Sequence, residues 1–243
     1  KVVTQAESAT LLSRIGITRA VVLYTGGADE RKNLPRLIEA WSSLPASLRQ
    51  SHQLLFAGRM PEGCIAAFRR IARNHGLQKD ELLFSGYVSD EELVQLYNLC
   101  KLFVFPSWHE GFGLPALEAM ACGAPVIGAN TTSLPEVIGL DDALFDPYDV
   151  AAIRDKIQAA LTDESFLATL RSHALSQARR FSWYTTAQLA ITTWQDSVAN
   201  TVTEIGVSPS AGRECNRLVQ SIARHPGNAD DNVLIPLAAC IAQ

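Results

Sequence analysis

The chain has 243 residues, of which 47% are hydrophobic and 19% charged, and its formal net charge is −4. That composition can bury one good core with an appendage, and the acidic balance gives no broad electrostatic footing for nucleic acid. No apolar run approaches the roughly 18 residues of a membrane span, so the expected location is the cytoplasm, or the inner face of the plasma membrane as a peripheral protein.

The first residues, Lys1-Val-Val-Thr-Gln, carry neither an initiator Met nor a signal peptide, which points to a piece of a longer protein. Cys64, Cys100, Cys122, Cys215 and Cys240 are odd in number and lack Cys-x-x-Cys spacing. They read as reduced thiols of a cytosolic protein, not as disulfides or metal ligands. His52, His75, His173 and His225 have no metal spacing and no nucleophile partner. No metal and no cofactor are expected.

Residues 1–19 read as a polar connector from a preceding domain. Ala20-Val-Val-Leu-Tyr-Thr25 is the first buried strand, ended by Gly26-Gly27. Asn33 is predicted to N-cap a helix whose Leu34, Leu37, Ile38 and Trp41 recur at helical spacing. Between strand and helix stand Arg31 and Lys32, adjacent cations beside a glycine turn. They suit a diphosphate, Arg as a bidentate fork and Lys as a point charge, or equally an ordinary solvated basic pair.

Gln53-Leu-Leu-Phe-Ala57 is the second strand, closing at Gly58-Arg59, where Arg59 could meet a phosphate or a surface carboxylate. Residues 62–75 form an amphipathic helix with Ile65, Phe68 and Ile71 inward. Glu81-Leu-Leu-Phe-Ser85 is the third strand, followed by Gly86-Tyr87-Val88. Ser89 and Glu92 make a capping box for the helix carrying Leu93, Leu96 and Tyr97.

Leu102-Phe-Val-Phe105 is the next strand. Behind it Gly111-Phe112-Gly113 leads to Pro115 in the first turn of a helix, where a missing N–H costs nothing. A strand, a glycine turn, a helix and the strand Pro125-Val-Ile127 form one unit of a parallel sheet, which binds ligands beyond the strands' carboxyl ends. The free N–H groups of such a turn and helix start suit an anion. Glu110 precedes the glycines and Glu118 lies one turn into the helix. The broken helix keeps them off one face, so one is expected at the mouth of the site and the other at the helix flank. A carboxylate such as Glu118 can accept bonds from two neighbouring hydroxyls, or simply favour the helix dipole. His109 and Trp108 read as rim residues.

Thr131, Thr132 and Ser133 are predicted to cap the short helix at Pro135-Glu136 and to line the phosphate pocket. Ala143-Leu-Phe145 is a short last strand, with helices at about 149–162, 164–180 and 183–199. Residues 206–212 read as a linker, with segments 213–224 and 231–242 beyond it.

The run Glu110-Gly-Phe-Gly-Leu-Pro-Ala-Leu-Glu118, then Ala-Met-Ala-Cys-Gly-Ala-Pro-Val, closely resembles the Glu-x7-Glu signature of retaining family-4 glycosyltransferases. These have the GT-B architecture, and the signature lies in the C-terminal, nucleotide-sugar-binding domain. The resemblance implies an α/β fold, a Rossmann-like parallel sheet with helices on both faces and a C-terminal helical extension. It divides the chain into a connector at 1–19, the donor-binding domain at 20–200 and an extension at 201–243. It implies that Glu118 holds the donor ribose, and that Glu110 with the backbone of Gly111, Phe112, Gly113 and Leu114 contacts sugar and phosphates. By the same resemblance Gly26, Gly27 and Thr131 line the donor site, and Tyr87 and Val88 border the base. Lys32 matches a phosphate-binding Lys of the family, but Gly27 occupies the usual Arg position. Arg31 is the candidate substitute.

Arg31-Lys32-Asn33-Leu34 resembles the branch with many bacterial mannosyltransferases of surface-polysaccharide synthesis, which makes GDP-mannose the first expected donor and a UDP-sugar the second. The acceptor, a glycan or lipid-linked sugar, would be held mainly by a preceding domain. Glu110, Lys32 and Arg31 are the expected catalytic groups, acting without a metal. Three other readings compete. A glycoside hydrolase would use both carboxylates but leaves the phosphate-type loop unexplained. A dinucleotide oxidoreductase wants an acid after the next strand, where Gly128-Ala129-Asn130 stands. A non-catalytic nucleotide-sugar-binding module of a multidomain glycan polymerase also fits.

Overall fold

The computed structural model describes residues 8–205, with side chains through residue 197. The expected linker at 206–212 and the segments at 213–224 and 231–242 lie outside the described residues. The chain divides into two compact units, Lys1–Arg180 and Phe181–Gln243. The described part of the second is one long helix, Trp183–Ile205.

The first unit is built on six parallel strands: β1 (Ala20–Thr25), β2 (His52–Ala57), β3 (Leu82–Phe84), β4 (Leu102–Phe105), β5 (Val126–Ala129) and β6 (Leu144–Phe145). Their order is β3-β2-β1-β4-β5-β6, with every neighbouring pair parallel. Central strands of such a sheet are covered on both faces and read as continuous apolar runs. Val22, Leu23 and Tyr24 are accordingly fully buried, as is every residue of β4.

The helices are α1 (Ala9–Ile15), α2 (Leu34–Ser42), α3 (Ala46–Ser51), α4 (Glu62–Asn74), α5 (Asp90–Leu99), α6 (Leu114–Ala121), α7 (Leu134–Ile138), α8 (Val150–Thr162) and α9 (Glu164–Ala178). On one side α2 packs between α4 and α8; on the other, α6 packs with α5, α7 and α9. The period of α2 is as expected, burying Leu34, Leu37, Ile38 and Trp41. In α4 the inward face is shifted: Phe68 and Ala72 are buried, while Ile65 and Ile71 are half-buried. The capping box of Ser89 and Glu92 is present at α5.

Two short helices carry no periodic apolar signal. One is α1, which buries Leu11 alone within the stretch expected as a connector; the other is α3, which buries nothing. The segment after α1 is also tied down. The Gln53 carboxamide oxygen accepts from the backbone N–H of Thr18 and Arg19 at 2.8 and 3.0 Å.

The strand order reverses between β1 and β4, the switch point where open α/β sheets bind ligands. β1 pairs with β2 over the whole run from Ala20↔His52 to Thr25↔Ala57, but with β4 only at Val22↔Leu102 and Leu23↔Phe103. Beyond those positions the two strands are free to diverge, and the turn after β1 faces the loop after β4.

Candidate functional site

The turn after β1 begins at Gly26 and Gly27. Tyr24 supports it from below, donating to the Gly27 carbonyl at 2.9 Å. A Cβ at Gly26, where φ is +140°, would lie 2.7 Å from the Tyr24 hydroxyl, so only glycine fits. The chain then makes a 3-10 turn over Glu30–Lys32 and reaches Asn33 at φ +59°.

Asn33 does not cap α2 with its side chain. Almost fully buried, it donates through Nδ2 to the carbonyls of Pro106 at 3.1 Å and Pro147 at 2.7 Å. Asn tolerates the left-handed conformation better than most residues. Its amide thereby fastens the β1 turn to the end of β4 and to the turn after β6. A further bond, Trp108 N–H to the Arg31 carbonyl at 3.0 Å, joins the same two loops.

These fastenings deliver Lys32 to Glu110. Lys32 Nζ donates to Glu110 Oε1 at 2.6 Å and sits 5.3 Å from the centre of the Phe105 ring. Arg31 donates to Glu110 Oε2 and to the His109 carbonyl, each at 3.1 Å. Lys32 is buried and Arg31 largely exposed. The expected mouth position of Glu110 is corrected: its side chain is 9% exposed and held by both cations. Burial pushes the Tyr24 phenol up, and the Glu110 charge adds to that.

The glycine loop is pinned from the next strand. Thr132 Oγ1 accepts from Glu110 N–H at 3.1 Å, and Ser133 Oγ donates to the Glu110 and Phe112 carbonyls at 3.2 and 2.9 Å. The expected capping of α7 by these hydroxyls is therefore corrected, since Ser133 makes no side-chain cap bond there. The competing demand of the loop carbonyls takes it instead. Thr131 Oγ1 is buried without a partner among the described residues. Gly113, at φ +97°, starts α6, and a Cβ there would meet Leu134 at 2.6 Å. A Cβ at Gly111 would meet nothing within 4 Å, which leaves its backbone open to close approach. Phe112 and Leu114 are partly exposed beside it.

Glu118 is exposed on α6, and its Oε2 accepts from Tyr97 OH at 2.9 Å. Tyr97 lies 3.0 Å from Thr25 Oγ1, at the last residue of β1. Lys32 and Glu118 make no direct contact: Lys32 is tied to Glu110, and Glu118 to Tyr97. Arg59 is exposed after β2 and makes no hydrogen bond or ion pair among the described residues. Tyr87, 71% exposed, and half-buried Val88 follow β3. All three sit at the carboxyl ends of their strands but outside the Lys32–Glu110 cluster. Trp108 stacks on Tyr148 at 6.0 Å with Arg36 over both rings, the packing expected of a rim residue.

Sequence reasoning missed Asn33, Thr132 and Ser133 as loop fasteners and Tyr97 as a partner of Glu118. Only Asn33 left a signal, a polar residue tolerant of positive φ beside a glycine turn. Among the described residues no group of three or more His, Cys, Asp or Glu is placed to hold a metal ion, and no helix is long and apolar enough to cross a membrane.

Residues 13–180 match the profile of the family described as Glycosyl transferases group 1. The serotype-specific mannosyltransferase WbdA of Escherichia coli is 53% identical over 171 residues, covering 70% of this chain and 21% of the relative. O-antigen chain mannosyltransferase B of Escherichia coli is 40% identical over 161 residues, 66% of this chain and 42% of the relative. The chain therefore spans less than half the length of these curated relatives. Among solved structures, sucrose-phosphate synthase of Thermosynechococcus elongatus superposes with a TM-score of 0.63 at 31% identity, covering 79% of this chain and 49% of that one. HepE of Anabaena, solved in complex with UDP and glucose, superposes with a TM-score of 0.68 at 24% identity, over 79% of this chain and 52% of that one; at that identity the likeness speaks for the fold alone. With the strand order, the loop and the profile in agreement, the chain belongs to the glycosyl transferases group 1 family, on a GT-B glycosyltransferase fold.

Proposed function

We propose that this chain binds the nucleotide-diphosphate sugar of a retaining, metal-independent hexosyltransferase, with GDP-mannose as donor and a role in bacterial surface-polysaccharide synthesis. The observation that carries it is the Lys32–Glu110–Arg31 cluster, set beneath a glycine loop at the switch point of the sheet. The mannosyltransferases among the relatives support mannose as the sugar.

In this reading the bond between the sugar's anomeric carbon and the diphosphate oxygen breaks while the acceptor hydroxyl oxygen bonds to that carbon on the same face, its proton passing to the departing diphosphate, on which negative charge gathers. Lys32, Arg31 and the N–H groups of Gly111–Gly113 oppose that charge from fixed positions, which is where preorganised donors contribute most. Glu110 releases Lys32 to the diphosphate and accepts from a sugar hydroxyl, while Glu118 takes the ribose. Thr131, Gly26 and Gly27 line the phosphates, Arg59 approaches them from β2, and Tyr87 with Val88 borders the base. The acceptor, a glycan or lipid-linked sugar, is held mainly by a second domain.

Calorimetric titration of the chain with GDP-mannose, UDP-glucose, GDP, UDP and NAD tests the proposal. Saturable binding of a sugar nucleotide and its diphosphate is expected; binding of NAD alone would replace this reading with the oxidoreductase one.

A further inference from the structure

Glu118 does not stand alone. Its Oε2 accepts from Tyr97 OH, and the Tyr97 oxygen lies 3.0 Å from Thr25 Oγ1. The direction of this chain follows from donor arithmetic. A carboxylate oxygen accepts, so the single phenolic hydrogen is committed to Glu118, and the Thr25 hydroxyl must donate to Tyr97. Burial raises the Tyr97 phenol far above its ordinary value, so it stays a donor at any working pH.

The rest of Tyr97 belongs to the core. The residue is 2% exposed, and its ring meets Phe103 edge-on at 5.7 Å. Packing alone requires only the ring, which Phe would supply. The hydroxyl does something else: it reaches from α5 to an exposed carboxylate on α6 and is backed by the last residue of β1. An exposed Glu otherwise samples several rotamers, and ordering it on binding costs side-chain entropy. A fixed donor on one carboxylate oxygen removes much of that cost in advance.

We propose that Tyr97, backed by Thr25, is a positioning residue that holds Glu118 in the one orientation able to receive both ribose hydroxyls of the donor nucleotide. The proposal rests on the donor-binding reading and deepens it, because it makes recognition of the ribose diol depend on a buried phenol that never touches the ligand. Oε1 and the remaining lone pair of Oε2 are then left for the two hydroxyls.

The test is titration of the 243-residue chain with GDP and UDP and with their 2′,3′-dideoxy forms. Tyr97→Phe is expected to weaken GDP or UDP binding about three- to tenfold, the size of one net hydrogen bond. It leaves the dideoxy forms unaffected and has no further effect in a Glu118→Ala background. Equal losses for the ribose and dideoxy forms would overturn the proposal, since the hydroxyl would then be supporting the fold. No loss in Tyr97→Phe, with a clear loss in Glu118→Ala, overturns the positioning role and leaves the donor reading standing. No loss in Glu118→Ala removes Glu118 from the ribose and overturns the proposal, while the binding of GDP or UDP itself leaves the donor reading standing. Should thermal unfolding show Tyr97→Phe to be unfolded, Thr25→Val gives the same readout: a smaller, ribose-dependent loss supports the proposal, and a loss blind to the ribose hydroxyls overturns it.

Discussion

Lys32 Nζ and Glu110 Oε1 lie 2.6 Å apart, 78 residues apart in sequence and each only 9% exposed. Removing one partner of such a pair leaves a buried charge uncompensated. The two removals are unequal here. Glu110→Gln leaves Lys32 with no anion, and a loss of about 3 kcal/mol is expected. Lys32→Met leaves Glu110 with Arg31, so a loss of about 1 kcal/mol is expected. Urea unfolding of both variants checks this, and the reverse order would mean that the pair is not buried as described.

Lys32→Ala should lose more affinity for GDP or UDP than for guanosine or uridine, because only the former carry a diphosphate. Calorimetry with the four ligands decides. Equal losses would rule out a phosphate contact.

Glu118→Ala should weaken nucleotide binding by about 1.5–3 kcal/mol, the range for hydrogen bonds to a charged acceptor. Because the side chain is exposed and the Tyr97 hydroxyl can turn its hydrogen to Thr25 Oγ1, the melting temperature should barely change. An unchanged affinity would take Glu118 out of the site.

Asn33→Ala removes the amide that holds Pro106 and Pro147 and leaves a Cβ at φ +59° without Asn's tolerance of that conformation. Two buried carbonyls lose their donor, at about 1–3 kcal/mol for an unsatisfied group. Asn33→Gly keeps the backbone and loses only the bonds, so it should be the milder change. Chemical denaturation that ranks Gly below Ala would show that relief of the left-handed strain is worth less than the Cβ contacts and the chain entropy that glycine gives up.

His52, at the start of β2, faces the Leu48 carbonyl with Nδ1 at 3.0 Å. That contact makes Nδ1 the proton-bearing nitrogen of the neutral ring. Burial lowers its pKa, so the unfolded chain takes up a proton before the folded one does. Its contribution to stability is therefore present above about pH 6.5 and lost as pH falls through the lowered folded value. The melting temperature should drop between pH 7 and 5.5, and His52→Gln should flatten that drop. A profile unchanged by the substitution would place the proton elsewhere.

The strands were legible because a covered parallel sheet demands unbroken apolar runs, and Ala20–Thr25 and Leu102–Phe105 are such runs with the observed limits. α1 and α3 were not, since helices that bury one residue or none leave no period to read. At the site the residue types were readable but their pairing was not. Lys32 meets Glu110 only because β4 lies beside β1, an adjacency that spacing along the chain does not encode. Asn33 misled because the same residue serves N-caps and left-handed turns. The spacing of Tyr97 marks an apolar helix face, and its ring lies on one; the hydroxyl's partners come from two other elements.

The order β3-β2-β1-β4-β5-β6 puts three strands on each side of the β1–β4 border, which is laddered at two positions where β1 and β2 share six. Only the β5–β6 edge is laddered as sparsely, so the border is a seam through the middle of the sheet, a line along which it yields with few backbone bonds broken. A ligand gripped at once by the β1 turn and the β4 loop acts as a rivet across it. Occupancy of the site and the cohesion of the two half-sheets are thereby one property, and amide exchange along β1 and β4 should slow together when the ligand is bound.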